Sequence, residues 1–362
     1  MKEKDLFAVS LFLFVNFILI ACISPSVRAK PQKLIEQNTE PPYTQIWDSN
    51  PVYFASVLYE NPIPGSIETV IFLPAVRADK KTLGKEAQTS DDTTFKASLY
   101  NLDGKRLSRS AFFKWDIDAE GHSLFASVFA VPSTANAGAA TIKIEGDKGF
   151  NAELTVNIAQ KDFTAELIPL NAGNTKLRTE PDPQKTKESV YLTSIYETRG
   201  SDIYSTGPFT PPVAAETRRT SFFGDRRVYK YSNGKTDTSI HAGIDYGVPT
   251  GTKVAACAPA KVVLARPRIV TGNSIVLEHL PGVYTTYFHL DKILVTEGSM
   301  VETGALIGLS GSTGLATGPH LHWEIRAANE NTDPDILCAK PILDKNFAVE
   351  KIIEHLKDTS KY

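Results

Sequence analysis

The sequence predicts a mainly β protein built from two β-rich parts. Short runs of β-branched and aromatic residues recur along the chain, and glycine-containing turns separate them. Helical spacing is confined to one connecting segment and to the C-terminus. The length of 362 residues is enough for about two domains. We therefore expect an N-terminal β-sandwich followed by a compact antiparallel β-sheet domain of barrel or barrel-sandwich type.

The composition excludes one class of partner. The formal net charge is −2, and the apolar and charged fractions are ordinary for a globular protein. A near-neutral chain lacks the excess of basic residues that binding to nucleic acid requires, so we expect no nucleic-acid partner. The composition does not predict the oligomeric state.

Residues 1–29 are predicted to be a signal peptide. The apolar run Leu6–Ala21 follows a short charged start and is too short for a comfortable transmembrane helix. Two cleavage sites fit. Leu19-Ile-Ala-Cys22 resembles a lipobox, which would leave a lipid anchor on Cys22, whereas Val27-Arg-Ala29 resembles an ordinary signal-peptidase site. Both predict export, and the position of Cys22 at the end of the apolar run favours the lipoprotein.

Residues 46–160 are predicted to form the β-sandwich, after a polar tether at residues 30–45. Asp103-Gly104 is typical of a hairpin turn. Five segments have the composition of strands, and they are Thr69–Leu73, Phe95–Tyr100, Ser123–Val131, Thr141–Glu145 and Glu153–Ile158. Short strands without an intervening helix are typical of an immunoglobulin-like sandwich.

Residues 161–216 are predicted to be a linker that contains one helix. Asp182 suits the helix cap and Pro183 the first helical position, and Gly200 is the expected end. We interpret this helix as one that packs between the two domains. The proline-rich stretch Gly207–Pro212 then predicts an extended connector.

Residues 217–335 are predicted to form the second domain. Ser274–His279 and Val283–His289 predict a hairpin around Leu280-Pro-Gly282. Two similar stretches, Thr250–Val262 and Glu297–Ile307, each join a glycine turn to a short apolar strand. Residues 336–362 form a C-terminal extension, in which we expect a helix over Phe347–Leu356.

The segment Gly318-Pro-His-Leu-His-Trp-Glu324 carries two of the chain's seven histidines. If Leu321, Trp323 and Ile325 face a core, the period of two places the other residues of the strand on the opposite face. Those residues are His320, His322, Glu324 and Arg326. Imidazoles beside a carboxylate suit a metal site or a proton-transfer site.

His241 and Asp245 form a second candidate ligand pair. A helix would align them, but Gly243 between them disfavours a helix. On a flat strand they would lie about 13 Å apart, too far for one metal ion. The chain must therefore curl near Gly243 if both residues bind the same ion.

Three separated clusters predict a hydrolytic zinc site. His241 and Asp245, together with either His320 or His322, would be three protein ligands with a fourth position open to water. The other histidine of that pair and His289, from Tyr287-Phe-His-Leu290, would remain for proton transfer. The spacing leaves open which of His320 and His322 is the ligand.

Four ordered motifs resemble those of the LytM/lysostaphin-type M23 zinc metallopeptidases. They are Thr220–Arg227, His241-x-Gly-x-Asp245, Tyr287-x-His-Leu290 and Gly318–Glu324, and the resemblance spans about a third of the chain. It implies His241, Asp245 and His322 as zinc ligands and His289 and His320 as the catalytic pair.

The same resemblance implies a function outside the cytoplasm. It implies hydrolysis of peptide bonds in peptidoglycan cross-links or stems, in the periplasm or cell envelope. Some members of the family have lost ligands and activate other wall hydrolases. A non-catalytic wall-binding module is therefore the alternative, but this chain has all five site residues. A lipoyl-like carrier, suggested by the paired glycine hairpins, would leave those residues unused.

Four further residues receive interpretations outside the predicted zinc site. His279 is expected to be structural or exposed. Cys257 and Cys338 could pair in an oxidising compartment, but two cysteines make no disulfide framework, so we favour the unpaired form. Glu324 fits equally well as a partner that orients a histidine and as a member of a surface ion pair.

Overall fold

The structure is a computed structural model that describes residues 44–49, 52–57, 62–73, 95–117, 123–146 and 151–347. The predicted signal peptide, most of the predicted tether and all but the first residue of the predicted C-terminal helix lie outside these ranges. Among the described helices, none is long and apolar enough to cross a membrane.

The first part consists of two antiparallel sheets. Its strands are β1 Thr44–Ser49, β2 Val52–Val57, β3 Ile67–Leu73, β4 Lys96–Asn101, β5 Arg106–Ala111, β6 Phe113–Ile117, β7 Ser123–Ala130, β8 Gly138–Glu145 and β9 Asn151–Ile158. One sheet has the order β1-β2-β3-β7-β6, and the other has the order β5-β4-β8-β9. The five predicted strands are confirmed within a few residues.

Alternation along the strands explains how these two sheets pack. In β9, Leu154, Val156 and Ile158 are buried, whereas the residues between them are exposed. These side chains share a core with Val70 of β3 and Phe129 of β7, so both sheets contribute to it. The mainly β class is confirmed, and the immunoglobulin-like type of this part stays a prediction.

The linker contains more regular structure than its sequence indicates. The predicted helix is α2, Pro183–Glu197, and the Asp182 side chain accepts a hydrogen bond from the backbone N–H of Gln184. It ends three residues before Gly200. The linker also forms β10, Ala165–Pro169, and α1, Ala172–Thr179, which were not predicted. β10 is short and mostly exposed, so it lacks the apolar alternation that identifies a strand.

The second part contains one large sheet and two small ones. Its strands are β11 Arg219–Ser221, β12 Arg226–Lys230, β13 Thr236–Ile240, β14 Ile244–Tyr246, β15 Lys253–Ala255, β16 Ala260–Arg268, β17 Gly272–Leu280, β18 Val283–Leu290, β19 Lys292–Ile293, β20 Met300–Val301, β21 Leu306–Leu309, β22 Leu321–Ala327 and β23 Glu330–Thr332, and α3, Pro334–Ala339, follows. The large sheet has the order β11-β14-β22-β18-β17-β16-β20, with β23 beside β22. The small sheets have the orders β10-β12-β13 and β15-β21-β19.

The predicted hairpin forms the centre of the large sheet. Leu280 of β17 lies opposite Val283 of β18, and Gly282 in the turn has φ +84°, a value that favours glycine. Every residue of β18 is buried. Ile195 and Tyr196 of α2 pack on one face of this hairpin, and the packing of this helix between two domains stays a prediction.

The candidate metal centre

The register of the large sheet aligns a row of site residues across β11, β14, β22 and β18. Ser221 lies opposite Asp245, and Asp245 lies opposite His322. His322 in turn lies opposite Phe288, whose ring stacks on the imidazole at a centroid distance of 5.6 Å. Leu321, Trp323 and Ile325 are fully buried on the other face of β22, as the alternation predicts. The face that carries the histidine is also buried.

The chain curls at Gly243, as the spacing of His241 and Asp245 requires. β13 ends at Ile240 and β14 begins at Ile244, so the intervening residues turn between two strands. A Cβ atom at Gly243 would lie only 2.0 Å from the carbonyl oxygen of Trp323, so only glycine fits there. The curl leaves His241 Nε2 3.1 Å from Asp245 Oδ1.

Three side-chain atoms from distant parts of the chain converge at this point. His322 Nδ1 lies 2.7 Å from Asp245 Oδ1 and 3.0 Å from His241 Nε2. Tetrahedral zinc bound to nitrogen and oxygen holds neighbouring ligand atoms about 3.3 Å apart. His241, Asp245 and His322 are therefore spaced closely enough to share one ion.

Hydrogen bonds fix which nitrogen of each converging histidine faces Asp245. His241 Nδ1 donates to the carbonyl oxygen of Phe222 at 2.8 Å, so Nε2 faces the carboxylate. His322 Nε2 donates to Glu324 Oε1 at 2.9 Å, so Nδ1 faces it. Both nitrogens contact Asp245 Oδ1 in this structure, and each would bind a metal ion in its deprotonated form. In metal sites the ring nitrogen that does not bind the metal typically donates to a carbonyl or carboxylate oxygen, as both rings do here.

His289 and His320 lie beside this cluster with the same arrangement of bonds. His289 Nδ1 donates to the carbonyl oxygen of Thr313 at 2.7 Å, and His320 Nδ1 donates to that of Gly318 at 2.8 Å. Their rings are 4.8 Å apart, and His320 Nε2 lies 3.8 Å from Asp245 Oδ1. Two imidazoles with free Nε2 atoms therefore stand next to the three converging ligand atoms.

The backbone at His289 departs from an ordinary strand. His289 has φ +61°, a conformation that few residues other than glycine adopt. Its carbonyl oxygen lies under Gly311, where a Cβ atom would approach it to 2.9 Å, and His320 donates its backbone N–H to Gly311. The loop that contains Gly311 thus packs on the end of β18 and brings the two histidines together.

Charged neighbours surround the buried polar cluster. Arg227 Nη2 donates to Asp245 Oδ2 at 2.5 Å. Glu324 accepts from Arg326 Nε and from Asn331 Nδ2, each at 3.0 Å. Each buried carboxylate therefore has a guanidinium beside it, which offsets the cost of burying its charge. The interpretation of Glu324 as a partner that orients a histidine agrees with this geometry, because Glu324 is 4% exposed.

These contacts perturb the pKa values of the cluster in the absence of a metal. Burial alone would raise the pKa of Asp245, but His241 and His322 hold it well below its ordinary value. Burial lowers the pKa of His322, yet the hydrogen bonds and charges of Asp245 and Glu324 outweigh burial and raise it to about 9. Burial, followed by the charges of His320 and His322, lowers the pKa of His289 to about 3.

Sequence reasoning missed the residues that support the ligands. It assigned no chemistry to either arginine of Thr220–Arg227, whereas Arg227 contacts Asp245 directly. Ser221 lies in the same motif but was given no role, and Glu166 lies outside all four motifs. Cys257 and Cys338 are free, and His279 is buried in the core, as the structural interpretation expects.

Comparison with known proteins finds a matching family for part of the chain. Residues 239–334 match Peptidase family M23. The peptidoglycan DD-endopeptidase ShyA of Vibrio cholerae is 40% identical over 114 residues, which are 32% of this chain and 26% of that protein. The DD-carboxypeptidase/endopeptidase Mpg of Neisseria meningitidis is 36% identical over 135 residues, which are 37% of this chain and 30% of that protein. The matched segment thus spans less than a third of either relative.

One solved structure resembles a larger share of the chain. A crystal structure from Pseudomonas aeruginosa that is named for peptidase M23 aligns with a TM-score of 0.50 and 23% identity, over 76% of this chain and 94% of that chain. At this identity the likeness concerns the fold. The matched segment, residues 239–334, shows that this chain contains a peptidase M23 domain.

Proposed function

We propose that this protein is an exported zinc-dependent endopeptidase that hydrolyses peptide bonds in the cross-links or stems of peptidoglycan. The observation that carries the proposal is the convergence of His241 Nε2, Asp245 Oδ1 and His322 Nδ1, with two free imidazole nitrogens beside them. The presence of an M23 domain supports the assignment as a metallopeptidase. The name of ShyA, a peptidoglycan DD-endopeptidase, supports peptidoglycan as the substrate.

The donor set fits a catalytic zinc ion. Two imidazole nitrogens and one carboxylate oxygen are ligands that zinc prefers, and three protein ligands leave one position open. In this proposal His241, Asp245 and His322 hold the ion, which would lower the pKa of a water molecule and polarise the scissile carbonyl. Among the described residues, these three form the group of metal-ligand type that is spaced for one ion.

His289 and His320 would move the protons. The low pKa of His289 keeps its imidazole neutral at pH 7, so its Nε2 can accept a proton from the attacking water. His320 Nε2 faces the same space, and with a proton on both ring nitrogens His320 can donate a hydrogen bond from Nε2 to the oxygen on which negative charge develops. The carbonyl groups of Thr313 and Gly318 hold both rings in the required orientation.

The other parts of the chain would bring the catalytic unit to its substrate outside the cytoplasm. A substrate in the cell wall agrees with the predicted signal peptide and with action in the periplasm or envelope, and the lipid anchor at Cys22 stays a prediction. We further propose that residues 217–335 are the catalytic unit and that the β-sandwich, immunoglobulin-like in type, spaces it or binds a partner. The non-catalytic alternative is not favoured, because all five site residues are present.

Digestion of purified peptidoglycan tests the proposal. The zinc-loaded protein should convert cross-linked muropeptide dimers to monomers, and mass spectrometry of the fragments would identify the bond. His320→Ala should retain zinc and lose activity by about 10²–10⁴-fold, the usual contribution of a proton-transferring group. His322→Ala should lose both zinc and activity. Full cleavage by either variant would contradict the assignment of that residue.

A further inference from the structure

Only one carboxylate oxygen of Asp245 faces the other ligand atoms. Oδ1 lies 2.7 Å from His322 Nδ1 and 3.1 Å from His241 Nε2. Oδ2 points away from them and accepts a hydrogen bond from Arg227 Nη2 at 2.5 Å. The guanidinium therefore holds the oxygen that the ligand cluster does not use.

The same guanidinium nitrogen also contacts a buried serine. Arg227 Nη2 donates to Ser221 Oγ at 2.8 Å, and this hydroxyl lies 3.2 Å from His241 Nδ1. Ser221 is 3% exposed and has Asp225 Oδ2 within 3.1 Å as an acceptor. One arginine is thus linked to Asp245 directly and to His241 through a serine.

A residue from the linker completes this cluster. Glu166 of β10 lies 3.5 Å from Arg227 Nε and 3.1 Å from Ser221 Oγ through its Oε2 atom. The parallel pairing of β10 with β12 places Glu166 directly opposite Arg227. Arg227 therefore sits between two carboxylates, with its side chain only 13% exposed. Glu166 lies outside the segment that matches the peptidase family, residues 239–334.

We propose that Arg227, assisted by Ser221 and Glu166, is a positioning residue that holds Asp245 as a one-oxygen ligand and neutralises its charge. The inference rests on the proposed function, because it assigns the group that prepares one of the proposed ligands. Without the guanidinium the carboxylate could rotate about its terminal torsion and would stay buried without its cation. Loss of such a supporting hydrogen bond costs about 10–100-fold in metal affinity in other metal sites.

The adjacent arginine is a matched control. Arg226 precedes Arg227 on β12, so its side chain points to the other face of the strand. It donates to the carbonyl oxygens of Gly224 and Ser133, and its guanidinium stacks on Phe163 at 4.3 Å. Replacing Arg226 therefore removes a partly buried guanidinium from the same strand but leaves the contacts of Asp245 unchanged.

The experiment measures metal binding by the full-length chain. Wild type, Arg227→Met, Arg227→Lys and Arg226→Met are stripped with a chelator and titrated with Zn²⁺ against a competing chromophoric chelator. Cobalt(II) is added separately, because its visible spectrum reports the coordination geometry. The melting temperatures of the metal-free proteins are compared, so that a general loss of stability is recognised.

Arg227→Met should bind zinc about 10–100-fold more weakly than wild type and should change the cobalt spectrum. Arg227→Lys should recover part of the affinity, because an ammonium can contact one carboxylate oxygen but lacks the fork of the guanidinium. Arg226→Met should keep wild-type affinity. Two results would overturn the proposal: wild-type affinity in Arg227→Met, or an equal loss in Arg226→Met. Failure of wild type to bind zinc would instead contradict the proposed function.

Discussion

At the scale of single residues, the second part combines two kinds of buried histidine. In the candidate metal centre each of four histidines donates one nitrogen to an oxygen outside the three converging ligand atoms and faces those atoms with the other. His279 has no free nitrogen, because Nδ1 donates to the carbonyl oxygen of Pro259 at 3.0 Å and Nε2 accepts from Thr285 Oγ1 at 2.8 Å. The hydrogen-bond partners of the two ring nitrogens therefore distinguish the histidines of the candidate metal centre from the structural His279.

His279 should make the folded state sensitive to acid. Burial lowers the pKa of this imidazole to about 4, from an ordinary value of 6.5. Between pH 6.5 and about 4 the imidazole of His279 is protonated in the unfolded chain but stays neutral in the folded chain. The contribution of neutral His279 to stability is therefore complete above pH 6.5 and is lost as the pH falls to about 4. The loss should reach about 3 kcal/mol in the free energy of unfolding.

Urea unfolding of the chelator-treated protein between pH 7 and pH 4.5 measures this effect. His279→Gln removes the titrating group and keeps a side-chain amide, so its stability should fall less steeply over the same range. Parallel curves for the variant and the wild type would show that His279 is not the source of the acid sensitivity.

At the scale of elements, close approach between strands builds the site. β14 contains only Ile244–Tyr246, yet it pairs with β11 on one side and β22 on the other. The turn before it brings Gly243 against the backbone of Trp323. This short strand holds Asp245 next to His322. It has little freedom to shift, because Gly243 packs against the backbone of β22 rather than against a flexible side chain.

Gly243→Ala should disturb both stability and metal binding. Its methyl group would meet the carbonyl oxygen of Trp323 at 2.0 Å, so β14 or β22 must move. We expect the free energy of unfolding to fall by about 1–3 kcal/mol, as for other overpacked sites. Zinc binding should weaken as well, because the displaced strands carry Asp245 and His322.

Gly207→Ala is the control for this prediction. A Cβ atom at Gly207 meets no atom within 4 Å, so this substitution should leave stability and zinc affinity nearly unchanged. The two variants are compared by urea unfolding and by the same zinc competition assay. Equal behaviour of the two would refute the role of the close approach at Gly243.

At the scale of the whole molecule, the proposed ligands join distant parts of the chain. Asp245 and His322 are separated by 77 residues in sequence. Glu166 adds a contribution from the linker, and Ile67 and Val128 of the first part share an apolar cluster with the core of the second part. Because the unfolded chain does not hold these groups together, zinc should bind the folded state in preference and stabilise it.

Zinc should therefore raise the melting temperature of the whole protein. At a free zinc concentration 100 times the dissociation constant, the expected gain is about 2.7 kcal/mol. Calorimetry with zinc and with a chelator measures it. His322→Ala should show no such gain, whereas His320→Ala should keep it, and a gain of equal size in both variants would contradict the proposed ligand set.

Local patterns in the sequence determined much of this protein. Period-two alternation predicted the buried face of β22, glycine and proline predicted the hairpin between β17 and β18, and Asp182-Pro183 predicted the start of α2. These predictions are reliable because each depends on residues within a few positions of one another. The four motifs likewise contained every residue type that the candidate centre needs.

Only the tertiary structure decided which of these residues meet. Alternation puts Arg226 and Arg227 on opposite faces of β12 but cannot say which face contacts Asp245. Spacing left His320 and His322 equivalent, and the register between β14 and β22 brought His322 to Asp245. Glu166 was invisible because β10 has no apolar pattern and is defined by its pairing with β12. Contacts between residues far apart in sequence depend on the order and register of strands, which no local pattern encodes.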